Sequence, residues 1–338
     1  MRGTLSMLYK PKHSLPTTVA GLKFEHPFGM AAGMDKTAKA LRGWDALGLG
    51  FVEIGGITML GQDGNPKPRM FRDHRHRALV NRMGFNNPGC DVMEAVLAAH
   101  QSKYGKSKTP LFANLGKSKL TPLDEAPNDY ATSLKKMWPY VDAFVINVSS
   151  PNTPNLRELQ KDEALAELLE VAISTEKTTA NIKGKQSKPV FVKIAPDVDD
   201  AQLSTIVKTA RTAGCAGIVV SNTTISRPET NNKGSKKVFD QTGGLSGEPV
   251  KNRSTELIRQ VYEQTDGQWP IIGVGGIMNA EDAWEKICAG ACLIQAYSGF
   301  VFEGPALTKN IVHGLRKKLI DSGFDSIDAA VGSYHRNE

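Results

Sequence analysis

A lysine stands inside the apolar stretch "VFVKI" (190–194), and asparagines end or interrupt three others: "LFANLG" (111–116), "VDAFVINV" (141–148) and "GIVVSN" (217–222). An ammonium carried into such surroundings costs several kcal/mol unless it meets an anion or an electron-rich ring, so Lys193 is expected to face a bound group. Asparagine amides offer donors and acceptors side by side without charge. Asn81, Asn147, Asn152 and Asn222 could together grip a planar ring that bears carbonyl and N–H groups. In "INVSSPNTPNLRELQ" (146–160) the prolines Pro151 and Pro154 hold φ at about −65° and stiffen the loop that carries Asn147, Ser150 and Asn152.

These residues need a scaffold that gathers them. Eight short apolar runs recur along the chain: 28–32, 51–56, 111–116, 141–148, 190–194, 217–222, 271–276 and 292–297. Segments of helical period separate them, such as Leu203, Ile206, Val207 and Ala210, or Ala280, Ala283, Trp284 and Ile287 after the N-cap Asn279. Runs that are apolar throughout are buried on both faces, as parallel strands covered by helices are. The pattern predicts a (β/α)8 barrel, with a short N-terminal segment at 1–20 and the barrel over 21–338.

A barrel builds its site from the loops that follow its strands. The polar residues collect there: Asp35 and Lys36 after the first run, Thr58 after the second, Asn147 and Ser150 at the fourth, Lys193 at the fifth, Ser221, Asn222 and Thr223 at the sixth. Gly275 and Gly276 on the seventh run, with Tyr297 and Ser298 on the eighth, supply the backbone N–H groups of a phosphate pocket. Two long connections, 59–110 and 223–249, are expected to lie over this face as binding loops.

The net charge of +7 favours anionic partners without choosing among them. The basic clusters "IKGKQSK" (182–188) and "KGSKK" (233–237) read as solvated loops, and no nucleic-acid partner is expected. The four cysteines lack CxxC spacing, as suits a reducing compartment, and no metal site is expected, the His74/His76 pair included. The start has no apolar signal core, and the longest uncharged stretch, 287–302, falls short of the ~20 residues of a spanning helix.

The motifs "AAGMDK", "NRMGFNN", "NVSSPNTPNLR", "VKIAPD", "SNTT", "GGLSG", "IIGVGGI" and "YSGF", in this order from about Gly21 to Gly314, resemble the dihydroorotate dehydrogenase family, class 2, its quinone-linked branch. The resemblance implies an FMN-containing barrel that oxidises (S)-dihydroorotate to orotate in pyrimidine synthesis, with a quinone as electron acceptor. It implies Ser150 as the base at C5, where class 1 members carry cysteine, with hydride passing from C6 to flavin N5. Thr153 and Phe85 are implied as parts of the proton relay. Lys36, Asn81, Arg82, Met83, Gly84, Phe85, Asn147, Asn152, Asn222 and Thr223 match positions around the substrate. Ala32, Gly33, Met34, Asp35, Lys36, Gly56, Asn114, Asn147, Lys193, Ser221, Gly247, Gly276, Tyr297 and Ser298 match positions around FMN.

Gly56 and Ser221 stand where the family usually has threonine. Class 2 members also carry an N-terminal helical pair that docks on a membrane, which implies peripheral attachment at the cytoplasmic face of the cell membrane. Here about 20 residues precede the barrel, interrupted by Pro11 and Pro16, and a chain with so short a start would be soluble in the cytoplasm. Two other readings share the fold: a flavin barrel that reduces uridines in tRNA, which uses a cysteine acid, and a non-redox barrel that binds a sugar phosphate.

Overall fold

A computed structural model describes residues 2–153 and 155–336; Pro154, one of the two expected loop stiffeners, lies outside them. Each apolar run forms a strand: β1 Phe28–Met30, β2 Val52–Ile57, β3 Leu111–Leu115, β4 Ala143–Asn147, β5 Val190–Lys193, β6 Gly217–Val220, β7 Ile271–Val274 and β8 Leu293–Ala296. They pair in parallel in chain order, and β8 returns to β1 to close the ring. The crossover helices are α1 Leu41–Leu47, α2 Cys90–Tyr104, α3 Ala126–Met137, α4 Asp162–Ile182, α5 Asp200–Ala213, α6 Lys251–Gln264, α7 Ala280–Cys288 and α8 Leu307–Ser322. In α5 the four periodic apolar residues are buried and Asp199 forms a reciprocal cap with Gln202. In α7 the Asn279 side chain accepts from the Asp282 N–H at 3.0 Å.

Strand residues alternate between the helix-covered outside and the barrel interior. The lower interior is aromatic: Phe51, Phe112 and Phe191, with Phe112 stacked on Phe191 at 5.9 Å between centroids. A hairpin, Thr17–Val19 with Leu22–Phe24, closes this end, and Phe24 meets Phe51 edge-on at 5.6 Å. The segment boundary expected at residue 20 falls in this hairpin's turn. Two residues further along the same strands the interior turns polar: Glu53, Asn114 and Lys193 stand above the three phenylalanines, and Gln295 stands above Leu293. The period of two thus seats a polar layer on an apolar plug, facing the mouth.

The two long connections do cover that mouth, as one unit. The first, expected at 59–110, includes the barrel's own helix α2; its inserted part carries the antiparallel strands Met70–Asp73 and Ala78–Asn81. The second contributes Gly244–Gly247, which pairs antiparallel with Ala78–Asn81 and brings Gly244 opposite Asn81. Phe71, Val80, Phe239 and Leu245 pack beneath the joint sheet. The Arg227 guanidinium ties the second insertion together by donating to the carbonyls of Phe239, Gln241 and Gly243 at 2.8–3.0 Å. Among the described residues no helix is long and apolar enough to cross a membrane.

Candidate active site

At the C-terminal end of the barrel lies a cleft with about 1030 Å³ of empty space, part of it open to solvent. The loop after β4 brings Ser150 and Asn152 to it, the loop after β1 brings Lys36, and the insertion sheet brings Asn81 and Phe85. Asn147 and Asn222 close β4 and the β6 turn on the same wall. The amides hold one another in order. Asn147 Nδ2 donates to Asn114 Oδ1 at 3.0 Å, and its Oδ1 accepts from the Ser149 hydroxyl at 2.9 Å. Asn222 Nδ2 donates to Ser149 Oγ at 3.0 Å, and Asn152 Nδ2 donates to Asn81 Oδ1 at 3.2 Å. Such mutual bonds fix which face of each amide is left for a ligand.

Ser150 is 7% exposed, and among the described residues its Oγ accepts only the Asn152 N–H, at 3.3 Å. The Thr153 hydroxyl is buried and has no partner among the described residues; Thr153 does not itself line the cleft. Phe85 does. Its backbone takes φ +48°, a conformation rarely adopted by a bulky residue and found most at functional sites. The ring nests over Gly56 and Gly116: a Cβ at Gly56 would lie 2.7 Å from Phe85 Cε1, and one at Gly116 2.9 Å from the ring. The glycine at 56 therefore makes room for Phe85, and a threonine there would displace it.

Lys36 Nζ donates to Asn86 Oδ1 at 2.7 Å. Burial, with the Arg69 guanidinium nearby, lowers its pKa to about 8. Lys193, 4% exposed, points from β5 into the floor, where Glu53 Oε1 lies 3.4 Å away. Gly275, Gly276, Ile277, Ser298 and Gly299, from the loops after β7 and β8, also line the cleft. Gly276 has φ +71°, and a Cβ there would fall 2.5 Å from Lys251, so only glycine lets the backbone line this cradle. Ser246 Oγ meets Ser298 Oγ at 2.9 Å, joining the insertion sheet to the cradle. Ala32, Gly33, Met83, Gly84, Ser221, Thr223, Gly247 and Tyr297 also line the cleft.

Three expected positions point elsewhere. The Asp35 carboxylate turns into its own loop, accepting from the Ala40 N–H and Trp44 Nε1 at 3.0 Å each. Arg82 Nη1 reaches Gln241 Oε1 at 3.0 Å while its guanidinium covers the Phe71 ring. Met34 packs on the outer core. His76 does have a carboxylate beside it, Asp73 at 2.8 Å, but no group of three or more metal-ligating side chains occurs among the described residues.

Ser149 stands at the end of the fourth run, where polar residues are expected, but Glu53, Gln295 and Arg157 are not among the expected site residues. Glu53 and Gln295 sit on the floor, and Ser149 orders the amides. Arg157 donates from Nε to the Ser149 carbonyl, from Nη2 to the Thr223 carbonyl and from Nη1 to Asp197, at 2.9–3.1 Å. It thereby locks the loops after β4, β5 and β6 to one another. A buried charge in an apolar run would have found Glu53, as it found Lys193; the arginine offers no such signal.

Residues 14–319 match the protein family described as dihydroorotate dehydrogenase. The chain is 47% identical over 316 residues to a dihydroorotate dehydrogenase (quinone) of Nostoc punctiforme, which covers 92% of this chain and 82% of that protein. It is 44% identical over 322 residues to the protein of the same name from Gloeobacter violaceus, covering 95% and 86%. The crystal structure of a ligand-free DHODH from Eimeria tenella superimposes with a TM-score of 0.89 at 36% identity, covering 99% of this chain and 98% of that one.

Proposed function

Because this chain belongs to the dihydroorotate dehydrogenase family, we propose that it oxidises (S)-dihydroorotate to orotate with bound FMN and passes the electrons to a quinone. The observation that supports this most is the convergence of Ser150, Lys36, Lys193 and four asparagine amides on one cleft. The cleft also suits FMN. A Cβ at Gly276 would strike Lys251 behind the cleft, so the main chain there stays bare, and Gln295 Oε1 is a buried acceptor on the floor without a partner among the described residues.

Gly276, Ile277, Ser298 and Gly299 would hold the FMN phosphate through main-chain N–H groups and the Ser298 hydroxyl, while Lys193, Asn114 and Gln295 would meet the ring. FMN, when bound, supplies the two-electron acceptor for the hydride that leaves C6 of the substrate. Ser150 takes the proton from C5. A serine hydroxyl is a weak base, and the buried Thr153 hydroxyl is its candidate outlet for the proton. Asn81, Asn147, Asn152 and Asn222 match the carbonyl and N–H edge of a pyrimidine, and Phe85 caps the site against water. Lys36 neutralises the substrate carboxylate. A cysteine acid, as a tRNA-reducing barrel would use, has no counterpart: none of the four cysteines lines the cleft. A peripheral contact with the membrane that holds the quinone belongs to the same proposal.

The purified protein is expected to be yellow and to bleach when dihydroorotate is added without oxygen. Colourless protein that takes up FMN and stays inert to dihydroorotate would sink the proposal. A pH dependence follows from Lys36, which must be charged to pair with a carboxylate. Its charge is lost as pH rises through about 8, so kcat/KM for dihydroorotate should fall above that pH. Lys36→Arg stays charged and should lose this alkaline limb; persistence of the limb in that variant would refute the assignment.

A further inference from the structure

Glu53 is a carboxylate with 0% exposure at the centre of the barrel, and no step above uses it. It accepts from Asn114 Nδ2 at 2.5 Å and Gln295 Nε2 at 2.6 Å, and Lys193 Nζ stands 3.4 Å from it. The ammonium contact is long for a charge-assisted bond, which normally closes to about 2.7–2.9 Å. Lys193 is thus shared between Glu53 and the cleft it lines. Gln295, which lines the cleft, also has a buried Oε1 that finds no partner among the described residues. A closed structural cluster would satisfy its own members. This one leaves Lys193 and Gln295, both lining the cleft, with bonding capacity unused.

We propose that Glu53 is a positioning residue that holds Asn114, Gln295 and Lys193 in register and sets the reduction potential of the bound flavin by partly cancelling the Lys193 charge. The inference rests on the flavin reading above. Adding electrons to a ring beside Lys193 is favoured by the ammonium and opposed by the carboxylate, and in a site closed to water neither charge is well screened. Glu53 therefore holds the potential below what an unopposed lysine would give. This keeps the flavin willing to pass its electrons on.

The test is a reductive titration of the holoenzyme with dithionite against a reference dye, which needs no dihydroorotate. Glu53→Gln should favour the reduced flavin by about tenfold, a rise of about 30 mV for a two-electron couple. If Glu53→Gln alone fails to fold, the Lys193→Met background leaves no charge stranded once Glu53 is also replaced. There too, adding Glu53→Gln should raise the potential above that of Lys193→Met. Glu53→Asp, which keeps the charge, should stay near the wild-type value. An unchanged or lowered potential in either background overturns the inference. Wild-type protein that holds no flavin would overturn the functional proposal instead.

Discussion

Ser150→Ala protein is expected to purify yellow and folded, with flavin reduction by dihydroorotate slowed on the order of 10²- to 10⁴-fold, the range assigned to a positioned base. The surroundings of Ser150 make this a clean test. Among the described residues its hydroxyl takes part in one bond, accepting the half-buried Asn152 N–H at 3.3 Å, so alanine gives up a single long bond from a donor that is not fully buried. The loop is held from outside that hydroxyl: Ser149 is anchored to Asn147, and Arg157 grips the Ser149 carbonyl. Flavin content and thermal midpoint should therefore stay near wild type, and KM for dihydroorotate should change far less than the rate. Ser150→Cys, which restores an ionisable group at the same place, should recover part of the rate. Single-turnover reduction in the stopped-flow instrument checks both variants, and an alanine variant reduced at the wild-type rate would remove Ser150 from the mechanism.

The barrel was legible because its eight strands are buried on both faces and so appear as uninterrupted apolar runs, a signal that survives without any tertiary information. The rim was legible because polar residues follow those runs. Where strand-end counting went astray, the residue's real partner was local: Asp35 follows the first run and is polar, yet its carboxylate is spent on the turn that leads into α1. The joint sheet over the mouth was not legible. Gly244–Gly247 has glycine at both ends and reads as a turn; only its pairing with Ala78–Asn81 makes it a strand. The floor was half legible. Lys193 and Glu53 carry the same signal, a charge within an apolar strand, and each is the other's explanation. Read singly, the lysine calls for an external anion; read as a pair, it is a tuned cation with capacity to spare for the cleft.

Lys193→Met separates those two accounts, with the second-largest effect expected in this protein. Removing the ammonium leaves Glu53 buried at 0% exposure with two amide donors and no cation, a situation that costs about 3–5 kcal/mol in protein interiors. The flavin-free protein should thus lose stability by roughly that amount, measurable by urea unfolding before any cofactor is added. The loaded protein should in addition lose on the order of 10²- to 10³-fold in the rate of reduction by dihydroorotate, the usual effect of deleting one preorganised group that meets developing charge. The two losses have different remedies. Replacing Glu53 as well removes the stranded carboxylate and should return most of the stability of the flavin-free protein, whereas the rate should stay low because no cation faces the ring. A Lys193→Met protein that is as stable and as rapidly reduced as wild type would mean that the lysine serves neither the carboxylate beneath it nor the group above.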